Sequence, residues 1–378
     1  MSEVSMQRIA FANTLRGVAS LSVLLLHYVL MINYMQGSYA GLSSLPGAFY
    51  HPWLVNSVNF FSMINLGAFG VSLFFLISGF VIPFSVSSFA SKNSGRTRFF
   101  INRVFRIWPT YAVGFAVSLA ALEIASYVSG TATSYTLGHL LAHVSLFRDW
   151  TGYLAIDGVV WTLEVEAKFY LFMLVFWGAI ANQKLWPIAV LCIAMVFASR
   201  YGVGVSNPDT LFLNILFPIK YLFFMCIGIV FNYHYRGTLT TEKLFAISIF
   251  MIGVFSYVCA KEKWADIVLI AYISSFVLFT IMYLFARDWT GGRVFSFLAD
   301  ISFPLYACHA AMGYVGIRLM VGWGLPSALA LLIATALALV LSWCIHIVIE
   351  NPSHRLGKRI ASSLDADGTK AITKERSV

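Results

Sequence analysis

Apolar residues along this chain come in long runs separated by short polar breaks, with no stretch of strand-like alternation. Runs of about 17–25 apolar residues can cross a bilayer as helices. They can be placed at Phe11–Tyr34, Asn65–Ser88, Pro109–Val128, Val159–Ala181, Leu185–Tyr201 and Leu211–Tyr233. Four more follow at Leu244–Cys259, Trp264–Phe285, Phe295–Arg318 and Leu325–Ile349, the shortest runs being Leu185–Tyr201 and Leu244–Cys259. The pattern predicts an all-α polytopic membrane protein of about ten transmembrane helices. Residues 1–360 read as one integral-membrane domain. Residues 361–378 are polar and predict a disordered cytoplasmic tail. There is neither an internal repeat nor the paired broken helices of an inverted-repeat transporter.

Composition agrees. Of 378 residues, 60% are hydrophobic and 11% charged, against about 25% charged in soluble domains. The 16% aromatic content suits belts at the lipid boundary. The net charge of +9 would suggest nucleic acid in a soluble protein, but here basic residues mark cytoplasmic loops. With the N-terminus inside, one side collects Arg8, Arg16, Lys92, Arg96, Arg98, Arg103, Arg106, Lys184, Arg236, Lys243, Arg287, Arg293, Arg355, Lys358 and Arg359. The other collects only Arg148, Arg200, Lys261, Lys263 and Arg318. That bias predicts an even number of spans with both termini cytoplasmic. A cleaved signal peptide ending near Ser38-Tyr39-Ala40 is the alternative for the first run, and it would leave an odd count. Cys192, Cys226, Cys259, Cys308 and Cys344 form no CxxC and read as small core residues. Cys308-His309 lacks a second cluster to complete a metal site, so no metal is expected.

Charges inside the runs carry the chemistry. An ionisable residue at a helix centre costs about 2.5–3.5 kcal/mol on insertion scales. Arg16 and His27 share the first run. Eleven α-helical steps end about 20° past three full turns, which puts both on one face, roughly 16 Å apart along the axis. A snorkelling arginine and a core histidine would fit. So would a cationic anchor with a reactive imidazole deeper in the membrane.

After the second run, Arg103 and Arg106 in Arg96–Pro109 share a helical face, while Phe99, Phe100, Val104 and Phe105 can dip into lipid. An interfacial topology helix and a clamp for a polyanion are both open. In Val160–Leu171, Thr162, Glu166 and Tyr170 fall on one stripe, while Glu164 and Lys168 suit an i, i+4 ion pair. Glu166 then needs another partner. Counted from the run ends, His27 and Glu166 lie at similar depth, on the order of 10 Å below the outer boundary. His309 falls in the same half, and a histidine beside a carboxylate would make a base and its orienting group. Lys220, beside Pro218, reads equally as counter-ion or substrate contact.

Taken together, the chain resembles the acyltransferase family 3 membrane proteins. The matching features are Arg16-x10-His27, Ser78-Gly79-Phe80, Arg103-x2-Arg106 ahead of Trp108-Pro109, Trp161-Thr162-Leu163-x2-Glu166 with Phe169-Tyr170, and Ile301-Ser302-x2-Leu305-Tyr306-x2-His309. The resemblance spans about Arg8 to Arg359, and Thr162 stands where many members have serine. It implies a multi-pass enzyme of a bacterial inner membrane that moves an acyl group, often acetyl, from cytoplasmic acyl-CoA to a hydroxyl of an extracytoplasmic or lipid-linked glycan. His27 is then the expected catalytic base or acyl carrier and Glu166 its carboxylate, with Arg16, Arg103 and Arg106 on the acyl-CoA side. Trp161, Thr162, Tyr170, Lys220, Tyr306 and His309 are further candidates, and no esterase-like domain is expected after the last run. The rivals from the residues alone are a proton-coupled secondary transporter and a non-catalytic membrane scaffold.

Overall fold

The computed structural model describes residues 9–33, 42, 45–62, 65–202, 211–260 and 265–375, and its side chains are left aside at 58–62, 198, 200–202, 211–217, 265, 267 and 365–375. The signal-peptide alternative at 38–40 and the orientation markers Arg8, Lys261 and Lys263 lie outside these residues, as does the side chain of Arg200.

Every regular element among the described residues is helical. The first half contains α1 (Ala10–Leu25), α2 (Pro52–Ser62), α3 (Leu66–Ala90), α4 (Gly95–Ser129), α5 (Leu137–Ser145), α6 (Val160–Val175), α7 (Trp177–Ala181) and α8 (Trp186–Gly202). The second contains α9 (Leu211–Tyr235), α10 (Thr241–Cys259), α11 (Ala265–Phe285), α12 (Gly292–Asp300), α13 (Ser302–Gly322), α14 (Ser327–Ile345) and α15 (Asn351–Glu375).

Six helical stretches among the described residues are long and apolar enough to cross a membrane, and a seventh is counted if α12 and α13, bent by 74° at Ile301, act as one span. This is fewer than the ten apolar runs. The run over Val159–Ala181 breaks at Phe176 into α6 and α7, and the fully described apolar part of α8, Trp186–Phe197, is shorter than a span. Conversely, the basic stretch from Arg96 to Arg106 is no separate interfacial helix. It continues through Pro109 into the 35-residue α4. Proline removes one N–H and crowds the preceding turn, yet helices packed around α4 hold it in place.

α3 is the hub. It packs against α1, α4, α6, α7, α9 and α11, and 72% of its apolar window is buried, against 28% for the peripheral window in Ser327–Leu364. Without a hydrophobic force between helices in lipid, association relies on close packing and buried hydrogen bonds. Ser72 donates to Ser275 of α11 (2.6 Å), and Asn232 of α9 donates to the Phe80 carbonyl (2.8 Å). Gly79 and Gly228 let α3 and α9 touch backbone to backbone. A Cβ on Gly228 would lie 2.6 Å from the Phe80 nitrogen, and one on Gly79 would collide with the Met225 carbonyl oxygen.

Gly79→Ala should therefore destabilise the fold by about 1–3 kcal/mol, the usual cost of overpacking a filled interior. A lower melting temperature of the detergent-solubilised protein checks this; an unchanged one would show that the α3–α9 crossing can open without loss.

Candidate functional site

Two groups of the expected residues assemble at separate places along α1. The first forms where α1 gives way to a π-helical turn, Leu26–Leu30, marked by the Met31 N–H reaching the Leu26 carbonyl at 2.8 Å. A π turn spaces side chains more widely than an α turn. The face that Arg16 and His27 would share on an ideal helix is therefore displaced at His27. Tyr28 fixes this turn: its ring lies where Gly313 has no side chain, and its hydroxyl donates to the His309 carbonyl at 2.9 Å.

His27 consequently faces α13. Its Nδ1 is 2.5 Å from the Tyr314 hydroxyl, and its ring meets that of His309 edge to face at 4.9 Å between centroids. Tyr306, one turn before His309, links α13 to α6. The Thr162 hydroxyl donates to it at 2.6 Å, and the Tyr306 hydroxyl donates onward to the Val159 carbonyl at 3.2 Å.

The second group is basic. Arg16 lies within electrostatic reach of Arg106, Glu166, Tyr170 and Glu350. Arg103 stacks over Phe99 (5.2 Å) and Tyr170 (5.5 Å) and donates to Ser85 (2.6 Å). Its buried Nε has no hydrogen-bond partner among the described residues. Tyr170 donates to Glu166 at 2.5 Å. α15 adds two residues that the sequence motifs did not flag. His354 and Lys358 share a face, His354 lies within reach of Arg103 and Arg106, and Gly357 brings α15 so close to α4 that a Cβ would sit 2.5 Å from Phe105 Cβ. Arg16, Arg103, Arg106 and Lys358 thus put four formal positive charges near two carboxylates, Glu166 and Glu350. Such a surplus with an unsatisfied guanidinium N–H suits phosphate oxygens.

Glu166 is therefore not placed as the depth count suggested. It joins the arginines, while the partners of His27 are Tyr314 and His309. Counting along two separate runs says nothing of which side chains meet, and the turn at Leu26–Leu30 points His27 at α13 instead of α6. The Thr162–Glu166–Tyr170 stripe nevertheless spans the interval, with Thr162 at the histidine end and Tyr170 at the arginine end. The expected Glu164–Lys168 pair is also corrected. Glu164 pairs with Arg148 (2.8 Å), and Lys168 with Asp149 (2.9 Å), donating to the Glu164 backbone only. Two long-range ion pairs replace one local pair and fasten the segment before α6 onto it. Lys220 is buried against the Tyr221 ring (4.8 Å), which itself packs on Trp161 (5.1 Å). These form a third cluster.

The segment leading into α6 contains one more buried group. Asp157 accepts from Ser118 (2.8 Å) and from the Val159 N–H (3.1 Å) and is fully buried. Burial pushes its carboxyl up to about 6, against the pull of those two donors.

The acyltransferase-domain family model matches residues 9–347. The chain belongs to acyltransferase family 3. Among its relatives, the acyltransferase MdmB of Streptomyces mycarofaciens is 26% identical over 329 residues, covering 78% of this chain and 83% of that protein. Nodulation protein 10 of Rhizobium leguminosarum bv. viciae is 32% identical over 117 residues, which is 27% of this chain and 31% of that one. No solved structure gives a significant match. The protein is thus an acyl-transferring enzyme with multiple membrane-spanning helices, and a family 3 member needs an acyl donor and an acceptor.

One consequence of Asp157 is measurable. Its folded pKa of about 6 lies above the ordinary value of 3.8, so the folded chain holds the extra proton between them and stability falls as pH rises through that window. Asp157→Asn imitates the protonated carboxyl and should remove this slope. The melting-temperature advantage of the variant should grow from about pH 4 to about pH 7; a constant or shrinking difference would mean that the carboxylate is held as an ion.

Proposed function

We propose that the protein is a membrane O-acyltransferase that moves an acyl group, acetyl in the simplest case, from cytoplasmic acyl-CoA to a hydroxyl of an extracytoplasmic or lipid-linked glycan. In this reading the chain crosses the inner membrane of a bacterium about ten times with both termini inside, and the basic group of Arg16, Arg103, Arg106 and Lys358 opens to the cytoplasm. The observation that carries this reading is the pairing of two chemistries on one helix. Basic side chains gather around Arg16, and an imidazole bonded to Tyr314 lies at His27, roughly 16 Å further along an ideal helix axis.

In this reading Arg103 and Arg106 grip the phosphates of the donor, and Arg16 guides its extended arm along α1 toward His27. His27 reacts at the thioester, as base toward the acceptor or as carrier of the acyl group. Glu166, hydrogen-bonded to Tyr170, orients the arginines rather than the imidazole. Thr162 and Tyr306 hold α6 to α13 beside the reacting groups. Trp161 and Lys220 line the acceptor side.

Purified protein incubated with acyl-CoA and hydroxyl acceptors tests this. General acid–base help is worth about 10²–10⁴ in rate, so His27→Ala should lose turnover by at least that factor while melting as the wild type does. A folded variant that keeps most of its transfer activity sinks the assignment.

The donor site makes a separate demand. Losing one charge-assisted contact costs about 1.5–3 kcal/mol, so Arg106→Ala should raise the KM for acyl-CoA roughly 10- to 100-fold with a smaller change in kcat. The salt dependence of KM should weaken in parallel. A variant with unchanged KM would remove α4 from the donor site.

A further inference from the structure

The hydrogen bonds of His309 decide which edge of its ring is free. Its Nδ1 is 2.9 Å from the Leu305 carbonyl and 3.1 Å from the Tyr306 carbonyl. Carbonyls only accept, so Nδ1 carries the proton, and in the neutral ring the lone pair belongs to Nε2. That atom is buried and has no hydrogen-bond partner among the described residues, on a side chain only 1% exposed. A buried acceptor without a partner is destabilising, and native proteins retain few of them without a use.

His309 also lines a small cavity between α1 and α13, together with Ser20, Leu24, Phe74, Ser302 and Tyr306. It has room for about one water, which is also the size of a single hydroxyl group. On its other side the ring of His309 abuts His27, whose own Nδ1 is tied to Tyr314. A tyrosine hydroxyl can accept as well as donate, and in the tautomer whose Nδ1–H donates to the Tyr314 oxygen His27 too presents an Nε2 lone pair. Two imidazoles in contact, each hydrogen-bonded through its Nδ1, are more than one base requires.

We propose that the two histidines divide the reaction, His27 Nε2 taking the acyl group and His309 Nε2 taking the proton of the acceptor hydroxyl. The division rests on the acyl-transfer reading above. In the first half, His27 Nε2 bonds to the thioester carbonyl carbon, the C–S bond breaks, and CoA leaves as its thiolate. The acyl-imidazolium keeps its Nδ1 proton on Tyr314. In the second half, the hydroxyl oxygen bonds to the acyl carbon as its proton passes to His309 Nε2. The C–N bond breaks and returns its electron pair to His27. His309 then releases the proton to solvent, balancing the one that the thiolate takes up, so thioester and alcohol become ester and thiol. Tyr314 is a positioning residue, fixing the tautomer of His27.

The experiment uses the full-length protein in detergent with radiolabelled acetyl-CoA, a hydroxyl acceptor and acid quenching. His309→Asn places an amide N–H where Nδ1–H donates to the two carbonyls but supplies no base, and His309→Gln is a second variant should the first melt early. The expected result is that a folded His309 variant becomes labelled on the chain to wild-type stoichiometry, yet discharges to acceptor about 10²–10⁴-fold more slowly. The wild-type transfer rate should rise with pH, and that rise should be lost in the variant. His27→Ala should take up no label. Transfer within tenfold of wild type in either folded His309 variant would overturn the division of labour, as would failure of a folded variant to take label. A wild type that neither takes label nor transfers would instead sink the acyl-transfer reading itself.

Discussion

The ring of Tyr28 occupies the space that Gly313 leaves on α13, and its hydroxyl is held by the His309 carbonyl. Any side chain at 313 would meet that ring. The placement of His27 depends on this contact, because the residue after it is the one wedged between helices and the residue before it opens the π turn. A tyrosine hydroxyl in a nonpolar interior must find an acceptor, and a helix normally has no spare carbonyl to offer in mid-span. The His309 carbonyl can accept a second hydrogen bond, since each carbonyl oxygen has two lone pairs. One buried contact thus orients the imidazole of α1 toward α13 and anchors the backbone of the other histidine.

The same requirement, that polar groups in lipid be satisfied within the protein, accounts for the segment before α6. Arg148 and Asp149 there pair with Glu164 and Lys168, which would otherwise be four charges in an apolar setting. Breaking a buried pair by removing one partner is far more costly than forming the pair is favourable. These pairs are therefore better understood as fixing where the segment lies than as adding stability. Their effect reaches the site because the segment ends at Val159, whose carbonyl accepts from Tyr306.

Much of this was legible in the residues. The helical class, the membrane setting and the positions of the charged residues inside apolar runs follow from patterning alone, because a bilayer tolerates few charges and each one stands out. The one-face spacing of Thr162, Glu166 and Tyr170 also survives folding. Features that depend on neighbours were not legible. Nothing local distinguishes Glu164, which finds Arg148, from Glu166, which finds Tyr170. Tyr314 looks like any other aromatic residue of an apolar helix, and Lys358 like any lysine near a terminus. The bends at Phe176 and Ile301 were not legible either, since hydropathy records composition and not direction.

The electrostatics of the basic group argue for a site that is meant to be filled. Like charges brought together in a medium of low dielectric repel strongly, and Arg16, Arg103 and Arg106 converge from two helices. Glu166 and Glu350 offset only part of that repulsion, and both are already engaged, with Tyr170 and His346 respectively. Neither forms an ion pair within 4 Å with these arginines among the described residues. A purely structural cluster would be expected to close such pairs, because unpaired buried charge is costly. Arg103 instead stacks on two aromatic faces and leaves Nε unbonded. In the proposed donor site, that arrangement would leave guanidinium N–H groups for the oxygens of an anion.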